Sequence, residues 1–336
     1  MSQVYVNDPS SVVGFEDNRL QIKTNDGVLR SLPIESVDGI SVFGRGQMST
    51  QCIGECLRRG IDVQYYSSAG TYFGKLTSTQ HVNIARQKRQ VFMSENEEFK
   101  LRLSAKMLSA KIHNQITVAR RYARYAFLGD SIDGDIDIMR CAEHSVSSCE
   151  NIAEMMGHEG LAARAYFNAL NKLVVPEFSF SGRSKQPPLD AFNSMLSLGY
   201  SILMNEVYGA IESKGLNPYF GLAHSDREKH PSLASDMMEE WRAVVVDSTV
   251  MSLVNGYEIV TSNFYTNTDA RGVFLDREGM KIFIAKLEKK FAASSKYLTY
   301  ADYGVPFRRA LNMQAGEMGK AIEQGDADIY SPVTIR

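Results

Sequence analysis

The stretch SENEEFKLRLSAKMLSAKIHNQITVARRYAR, residues 94–124, marks the point at which the pattern of the chain changes. Its apolar residues recur every three to four positions, which is typical of one face of an α-helix. Ser94 and Glu97 have the spacing of a capping box, so we expect one long helix of about eight turns to follow them. The predicted apolar face consists of Leu101, Ala105, Leu108, Ile112, Ile116, Ala119 and Ala123.

The chain before this helix has the patterns of β-strands. RLQIKTNDGVLRSLPI, residues 19–34, is two strand-like runs around Asp26 and Gly27, which is a hairpin signal. IDVQYYSSAGTYFGKL, residues 61–76, has the pattern of a second hairpin. Between them, GISVFG (39–44) is predicted as a strand and STQCIGECLRRG (49–60) as a short helix that stops at Gly60.

The predicted fold class is therefore α+β, with a small N-terminal β-sheet domain followed by a larger all-helical domain. We expect the β domain over residues 1–85, the helical domain over 86–325 and a flexible tail over 326–336. Further helices are predicted to begin near Gly157, after a cap at Asp190, at Ser232, near Asp276 and near Tyr300.

Composition excludes several classes of protein. The 336 residues are 44% apolar and 23% charged, as in globular proteins. No apolar run approaches the roughly 20 residues that span a bilayer, and the N-terminal residues lack the regions of a signal peptide. The four cysteines have neither zinc-ribbon nor disulfide spacing, and Cys52 and Cys56 are expected to pack as small apolar side chains. We therefore expect a cytoplasmic protein that does not enter membranes.

The net charge is −2, but charge is distributed unevenly. Residues 86–124 contain ten Lys or Arg against three Glu, so this helix either contacts a polyanion or is a solvated face. Residues 130–139 carry alternating aspartates but lack the Gly and Glu positions of an EF-hand, and we interpret them as an acidic loop between helices.

Three elements carry candidate metal ligands. NPYFGLAHSDREKHPSLASDMMEEWR, residues 217–242, places His224 at the rim of an apolar run and Asp236 and Glu239 on the helix that follows. Glu159 lies in GHEGLAARAYFNAL, in the first turn of the helix predicted near Gly157. An imidazole and carboxylates on separate helices suit Mg²⁺ or Mn²⁺. The alternatives are that the carboxylates complement helix dipoles and that the histidine is a core residue.

Taken in order, GHEGLAARAYF, RSKQPPLDAFNSMLSLGYSIL, the 217–242 stretch and VVDSTV resemble the CRISPR-associated integrase and endonuclease family Cas1, as a type I-like member. The resemblance extends from the N-terminal β domain to about residue 290. It implies the same α+β fold. It also implies an enzyme that inserts short duplex DNA fragments, the spacers, into the CRISPR array.

The resemblance also implies the residues that carry the chemistry. Glu159, His224 and Glu239 correspond to the metal ligands of the family, with Asp236 as a supporting group, and Arg242 to a basic residue near the DNA. Some members carry Asp where this chain has Glu239. The implied reaction is a transesterification in which a DNA 3′-hydroxyl attacks a phosphodiester with the help of Mg²⁺ or Mn²⁺. The implied partners are double-stranded DNA, a second copy of the chain and the small protein Cas2.

Other basic residues are candidates for contacts with DNA. Arg183 and Lys185 either meet phosphates or are solvated loop charges, and His158 is a candidate neighbour of the site. The basic residues of the long helix become candidates as well: Lys100, Arg102, Lys106, Lys111, Arg120, Arg121 and Arg124. The rival interpretations are a DNA-binding scaffold without catalysis, a metalloenzyme that acts on a small molecule, and a nuclease of DNA repair.

Overall fold

The computed structural model describes residues 2–79, 82–126, 129–225, 227–267 and 271–336. They form two compact units, one that extends to Val82 and one that runs from Asn83 to Arg336. The first unit is built mainly of strands and the second mainly of helices, so the predicted α+β class is confirmed. Among the described residues, none of the helices has both the length and the apolarity that crossing a bilayer requires.

The first unit contains two four-stranded sheets. One has the strand order β1-β5-β7-β8 and the other β4-β3-β2-β6. The strands are β1 (Ser2–Val6), β2 (Val12–Glu16), β3 (Arg19–Thr24), β4 (Gly27–Pro33), β5 (Val37–Phe43), β6 (Gln47–Met48), β7 (Asp62–Tyr66) and β8 (Tyr72–Leu76). Both predicted hairpins are present, because β3 pairs antiparallel with β4 and β7 pairs antiparallel with β8.

The α-helix α1 (Thr50–Arg59) of this unit follows its sequence signals closely. The Ser49 side chain accepts a hydrogen bond from the Cys52 backbone N–H, and Gly60 ends the helix in the left-handed conformation at φ 67°. Cys52 and Cys56 lie in the apolar core between the helix and the strands, as predicted.

The second unit is a set of helices joined by short strand pairs and loops. Its helices are α2 (Ile84–Ser94), α3 (Glu97–Ala126), α4 (Asp133–Val146), α5 (Ile152–Leu173), α6 (Ala191–Ser213), α7 (Ser232–Trp241), α8 (Ser248–Asn255), α9 (Arg277–Ala292) and α10 (Phe307–Gln324). A π-helical segment, Arg242–Asp247, joins α7 to α8. The short strands are β9 (Phe264–Asn267), β10 (Gly272–Leu275), β11 (Ser294–Ser295) and β12 (Val305–Pro306).

The long helix α3 packs against α4, α5 and α7, and it is buried around most of its circumference. Its cap differs from the prediction. Ser94 ends the preceding helix α2, and the Asn96 side chain accepts the Phe99 N–H at 2.9 Å instead. A side-chain acceptor is required there because the first turn of any helix leaves its N–H groups unpaired.

Three helix starts in the helical unit differ from those predicted from the sequence. Helix α5 begins at Ile152 behind an Asn151 cap, so Glu159 lies two turns inside the helix and not in its first turn. The aspartates predicted to form a loop instead open helix α4 at Asp133, where negative charge favours a helix start. Helix α10 begins at Phe307, later than predicted.

The C-terminal residues also differ from the prediction of a flexible tail. Tyr330, Val333 and Ile335 are buried. The Asn114 side chain of α3 donates to the Val333 carbonyl at 2.9 Å and accepts the Ile335 N–H at 2.9 Å. The segment is therefore part of the packed core, held by backbone hydrogen bonds that a free tail would make with water.

Candidate functional site

Two predicted site residues converge on a lysine. Glu159 projects from α5 and Glu239 from α7, and both form ion pairs with Lys111 of α3. The Lys111 Nζ lies 2.6 Å from Glu239 Oε2. Lys111 and Glu239 are only 5% and 4% exposed, so this charge cluster is largely removed from water. Three helices thus place two carboxylates around a single buried cation.

Glu239 is ionised in this environment. Burial alone would raise the pKa of Glu239, but the charges of Arg242 and Lys111 outweigh it and lower the pKa to about 2. Arg242 Nη1 lies 3.2 Å from Glu239 Oε1. Glu239 Oε2 is engaged by the Lys111 ammonium, and among the described residues Arg242 Nε is buried without donating a hydrogen bond. Such an unsatisfied polar atom marks a place where a further polar group fits.

His224 is held by Asp236, which is itself fully buried on α7. The Asp236 carboxylate accepts the backbone N–H groups of Leu222, Ala223 and His224 at 2.6, 3.1 and 3.0 Å. The His224 Nδ1 lies 2.5 Å from Asp236 Oδ1. Asp236 therefore fixes both the loop that carries the histidine and the orientation of its ring, and it has no oxygen left over for a cation.

This contact determines the chemistry of the imidazole. The hydrogen bond to Asp236 raises the pKa of His224, and the charges of Asp236 and Glu239 act in the same direction. With Nδ1–H donated to the carboxylate, the neutral ring presents Nε2 as its free lone pair. A carboxylate behind a histidine is the usual support for a histidine that binds a metal.

The structure thus unites the predicted residues only in part. Glu159 and Glu239 share Lys111, whereas His224 is attached to Asp236. The donor atoms of Glu159, His224 and Glu239 do not all lie within 4.8 Å of one another. The Lys111 ammonium contacts both carboxylates. Two carboxylates and one imidazole nitrogen are nevertheless donors that suit Mn²⁺ and Mg²⁺.

Arg183 and Arg242, both predicted to contact DNA, are engaged within the protein. Their guanidinium groups lie 5.3 and 5.2 Å from the centre of the Tyr200 ring. Arg183 also donates to Asn193 Oδ1 at 3.0 Å and to Ser197 Oγ at 3.1 Å. Arg183 therefore supports the wall of the site, and Arg242 faces Glu239.

A buried acid lies behind these arginines. Asp247 accepts hydrogen bonds from the hydroxyl groups of Tyr200 at 2.6 Å and Tyr166 at 2.9 Å. Burial raises the pKa of Asp247 to about 6, although the two tyrosines and the two arginines oppose this. The Tyr200 ring is consequently fixed at its hydroxyl by Asp247 and on its ring by Arg183 and Arg242.

Three predicted DNA contacts are exposed on the surface. Lys185 lies at the rim of the site, where burial and then the charges of Arg242 and Arg183 lower its pKa. Arg120 and Arg124 are exposed on the last turns of α3. The other basic residues of α3 have different roles. Arg102 and Lys106 pair with Asp328 of the C-terminal segment, and Lys111 is buried in the site.

Four residues of the site were not predicted from the sequence: Lys111, Tyr166, Tyr200 and Asp247. Lys111 was assigned to a basic surface, although this lysine directly precedes Ile112 of the predicted apolar face. A buried charge must be paired, so a lysine next to that face predicts a carboxylate opposite it. Asp247 follows three consecutive valines, so the sequence also indicated a buried carboxylate that needs hydrogen-bond partners.

This chain resembles known proteins in both sequence and fold. A family model described as CRISPR associated protein Cas1 matches residues 4–289. A CRISPR-associated endonuclease Cas1 of Mycobacterium tuberculosis (strain CDC 1551 / Oshkosh) is 38% identical over an alignment of 340 positions that covers 98% of each chain. Both matches include the residues of the site.

Two solved structures share the fold. A chain of a Cas6-RT-Cas1–Cas2 complex has a TM-score of 0.86 at 23% identity, covering 100% of this chain and 36% of that one. A casposase bound to an integration product has a TM-score of 0.85 at 19% identity, covering 97% of this chain and 92% of that one. Together, the extent of the family match and the full-length similarity to the mycobacterial protein show that this chain belongs to the Cas1 family of CRISPR-associated proteins.

Proposed function

We propose that this protein is a divalent-metal-dependent DNA integrase and endonuclease that inserts spacers into the CRISPR array. The observation that carries the proposal is the meeting of Glu159 and Glu239 at the buried Lys111 ammonium, near a histidine whose Nδ1 is held by Asp236. Family membership supports the same reaction, since the mycobacterial relative is named an endonuclease and the casposase was solved with an integration product.

Glu159, Glu239 and His224 would hold Mg²⁺ or Mn²⁺. The donor set fits, because two carboxylates and an imidazole nitrogen are ligands that these ions accept, and the Lys111 ammonium already marks a place for positive charge between the carboxylates. Such an ion, when bound, would favour the ionised form of a 3′-hydroxyl and neutralise charge that develops on the phosphate. The Lys111 ammonium, which contacts both carboxylates, would have to move aside or share them.

The residues around this set have separable roles. Asp236 keeps the His224 ring in one tautomer and one orientation, so that the loop does not have to reorganise during the reaction. Arg242 balances the charge of Glu239 and, with Lys185 at the rim, provides positive charge for a DNA phosphate. No protein nucleophile takes part, since the attacking group is the DNA 3′-hydroxyl, or water when the site acts as a nuclease.

The proposed assembly contains double-stranded DNA, a homodimer of this chain and a Cas2 protein. Support comes from the similarity of the fold to the Cas1-containing chain of a Cas1–Cas2 complex. Arg120, Arg124 and Lys185 are the exposed basic side chains that we assign to DNA phosphates. Arg183 is assigned a supporting role in the wall instead, because its guanidinium is already bonded.

A strand-joining assay tests the function. Purified protein, with and without a Cas2 partner, is mixed with a labelled duplex bearing 3′-hydroxyl ends and a supercoiled plasmid that carries a CRISPR repeat. Each reaction contains Mn²⁺, Mg²⁺ or a chelator. We expect joining that requires the metal and falls by about 100-fold or more in His224→Ala, while the variant still binds DNA.

His230→Ala is the matched control, because its ring lies 6.2 Å from that of His224 yet bonds to Ser235 and not to Asp236. This variant should join DNA as the unchanged protein does. Full joining by His224→Ala would make His224 a core residue and refute the metal site. Binding of DNA without joining under every condition would instead favour a non-catalytic scaffold.

A further inference from the structure

A second group of metal-ligating side chains lies where α4 meets α5, away from the carboxylates that share Lys111. Cys149 is in the connection between the helices, Glu154 is in the first turn of α5, and His158 is one turn further along. Each residue offers one donor atom, and the three donor atoms all lie within 4.8 Å of one another. Within the described residues, no other trio of His, Cys, Asp and Glu meets this condition.

The local sequence builds this arrangement. The Asn151 side chain caps α5 by accepting the Glu154 N–H at 2.9 Å, which fixes the helix start. Glu154 and His158 are four residues apart and so project from the same face of the helix. Glu154 Oε2 accepts the Glu150 N–H at 3.1 Å, and the Cys149 thiol donates to the Ser145 carbonyl at 3.3 Å. The carboxylate and the thiol are therefore already oriented without a cation.

A cavity gives access to Cys149. Cys149 and Met155 help to line a cavity of about 470 Å³ between α3, the α4–α5 connection and the C-terminal segment. Glu154 is exposed and His158 is half-buried, so an ion or a probe can reach the trio from solvent. An entry path and oriented donor atoms of suitable type are among the requirements for a metal site.

We propose that Cys149, Glu154 and His158 bind a single zinc ion, with water in the fourth position. Tetrahedral zinc holds sulfur at about 2.3 Å and nitrogen or oxygen at about 2.0–2.2 Å, which places its ligand atoms roughly 3.3–3.7 Å apart. Donor atoms spaced by as much as 4.8 Å would therefore have to draw closer together. The exposed Glu154 side chain can make that adjustment. The site is independent of the proposed integrase chemistry, because it uses none of the same side chains.

The thiolate selects the metal. Soft sulfur ligands favour zinc and disfavour Mg²⁺ and Mn²⁺, which prefer carboxylate oxygens and water. The two sites should therefore take different ions from a mixture. Bound zinc would join the α4–α5 connection to the second turn of α5, which also carries Glu159 directly after His158. The expected role is a local clamp on the helix that carries a residue of the active site.

Cobalt(II) tests the site because it replaces zinc and reports its ligands by colour. Metal-free protein is titrated with Co²⁺ under reducing conditions while its absorption is recorded in the near ultraviolet, where a thiolate bound to cobalt has a charge-transfer band. We expect the band to saturate at one Co²⁺ per chain, to disappear on addition of Zn²⁺ and to persist in excess Mg²⁺. The Mg²⁺ or Mn²⁺ site has no sulfur and cannot give this band.

Cys149→Ser should abolish the band, and Cys141→Ser, which changes an exposed cysteine on α4, should leave it intact. His158→Gln keeps the thiol and changes a half-buried position that tolerates glutamine. It should weaken Co²⁺ binding by about 10- to 100-fold. Circular dichroism confirms that each variant is folded. Failure of the unchanged protein to develop the band, or its survival in Cys149→Ser, would overturn the proposal, as would unchanged affinity in His158→Gln.

Discussion

At the scale of single residues, Lys111 occupies the position between carboxylates where the proposed reaction needs a divalent cation. Replacing it with methionine keeps the bulk but leaves Glu159 and Glu239 without their shared counter-charge. Losing one partner of a buried ion pair costs about 3–5 kcal/mol, so Lys111→Met should lower the thermal midpoint in chelator. Mn²⁺ should then stabilise the variant more than the unchanged protein, because it no longer competes with an ammonium.

Differential scanning fluorimetry with and without Mn²⁺ measures both effects. Lys172→Met is the control, since Lys172 also forms an ion pair, at 2.8 Å with Asp135, but lies elsewhere. The control should show the same shift with Mn²⁺ as the unchanged protein. If Lys111→Met also shows that same shift, the lysine and the metal do not share a site.

Asp236 supports His224 and would not itself contact the proposed metal ion. Asp236→Asn removes the negative charge behind His224 and turns an NH₂ group toward backbone N–H groups that need an acceptor. We expect Mn²⁺ affinity, measured by isothermal titration calorimetry, to fall by about 10- to 100-fold. Asp276→Asn is the control, because asparagine caps a helix as well as aspartate does. An unchanged affinity in Asp236→Asn would show that His224 does not bind the metal.

Asp247 gives the protein a dependence on pH that runs opposite to that of most carboxylates. Its folded-state pKa is about 6 against an ordinary value of 3.8, so between these values the folded protein holds its proton more tightly than the unfolded chain. The resulting stabilisation is complete below about pH 4 and is lost as the pH rises through 6. It amounts to about 3 kcal/mol.

Urea unfolding of Asp247→Asn and of the unchanged protein, from pH 4 to pH 7, isolates this contribution. The free energy of unfolding of the unchanged protein, taken relative to the variant, should decrease as the pH rises. Glu239, whose folded-state pKa is about 2, contributes equally to both proteins and therefore cancels in the difference. A difference that is constant with pH would mean that Asp247 is ionised throughout.

At the scale of elements, the C-terminal segment completes the core of the helical unit. The Tyr330 hydroxyl donates to Glu240 Oε1 at 2.7 Å, and the Val333 N–H donates to Glu240 Oε2 at 2.8 Å. Tyr330→Phe removes one donor from a buried carboxyl group, which should cost about 1–3 kcal/mol. Chemical denaturation should report this loss, whereas Tyr303→Phe, at an exposed tyrosine, should have little effect. Equal stabilities would mean that the segment contributes little.

At the scale of the whole molecule, the net charge of −2 gives no overall positive field, so the proposed DNA binding must rely on local groups of exposed basic side chains. Changing Arg120 and Arg124 together to alanine should weaken binding and reduce the slope of log affinity against log salt by about 2. Fluorescence anisotropy over a series of salt concentrations measures the slope. Lys289→Ala, an exposed charge on α9, is the control and should not change it. An unaltered slope in the double variant would remove this end of α3 from the DNA surface.

The α+β class, the two hairpins and several helix starts could be predicted from local patterns, whereas β1, β2, β6 and the Asn83, Asn96 and Asn151 caps were not predicted. Ser49, Asp190 and Asp276 were predicted or implied as caps because a helix start needs a side-chain acceptor within a few residues. Hairpins followed from alternation and from turn residues. Where a predicted helix start was wrong, as for the helix that begins at Ile152, the helix is longer than its apolar pattern indicates, because packing stabilises the additional turns.

For the site, the sequence predicted only that side chains of the kinds that bind metals are present. The sequence showed Glu159, His224, Asp236 and Glu239 on three elements, and the family resemblance supplied their roles. It did not show that Asp236 binds the histidine, that Lys111 joins the carboxylates, or that Tyr200 lies against Arg183 and Arg242. Local patterns report which face of an element is buried. Pairing between buried charges depends on which faces meet, and for Lys111 and Glu239 they meet only when α3 and α7 have packed together.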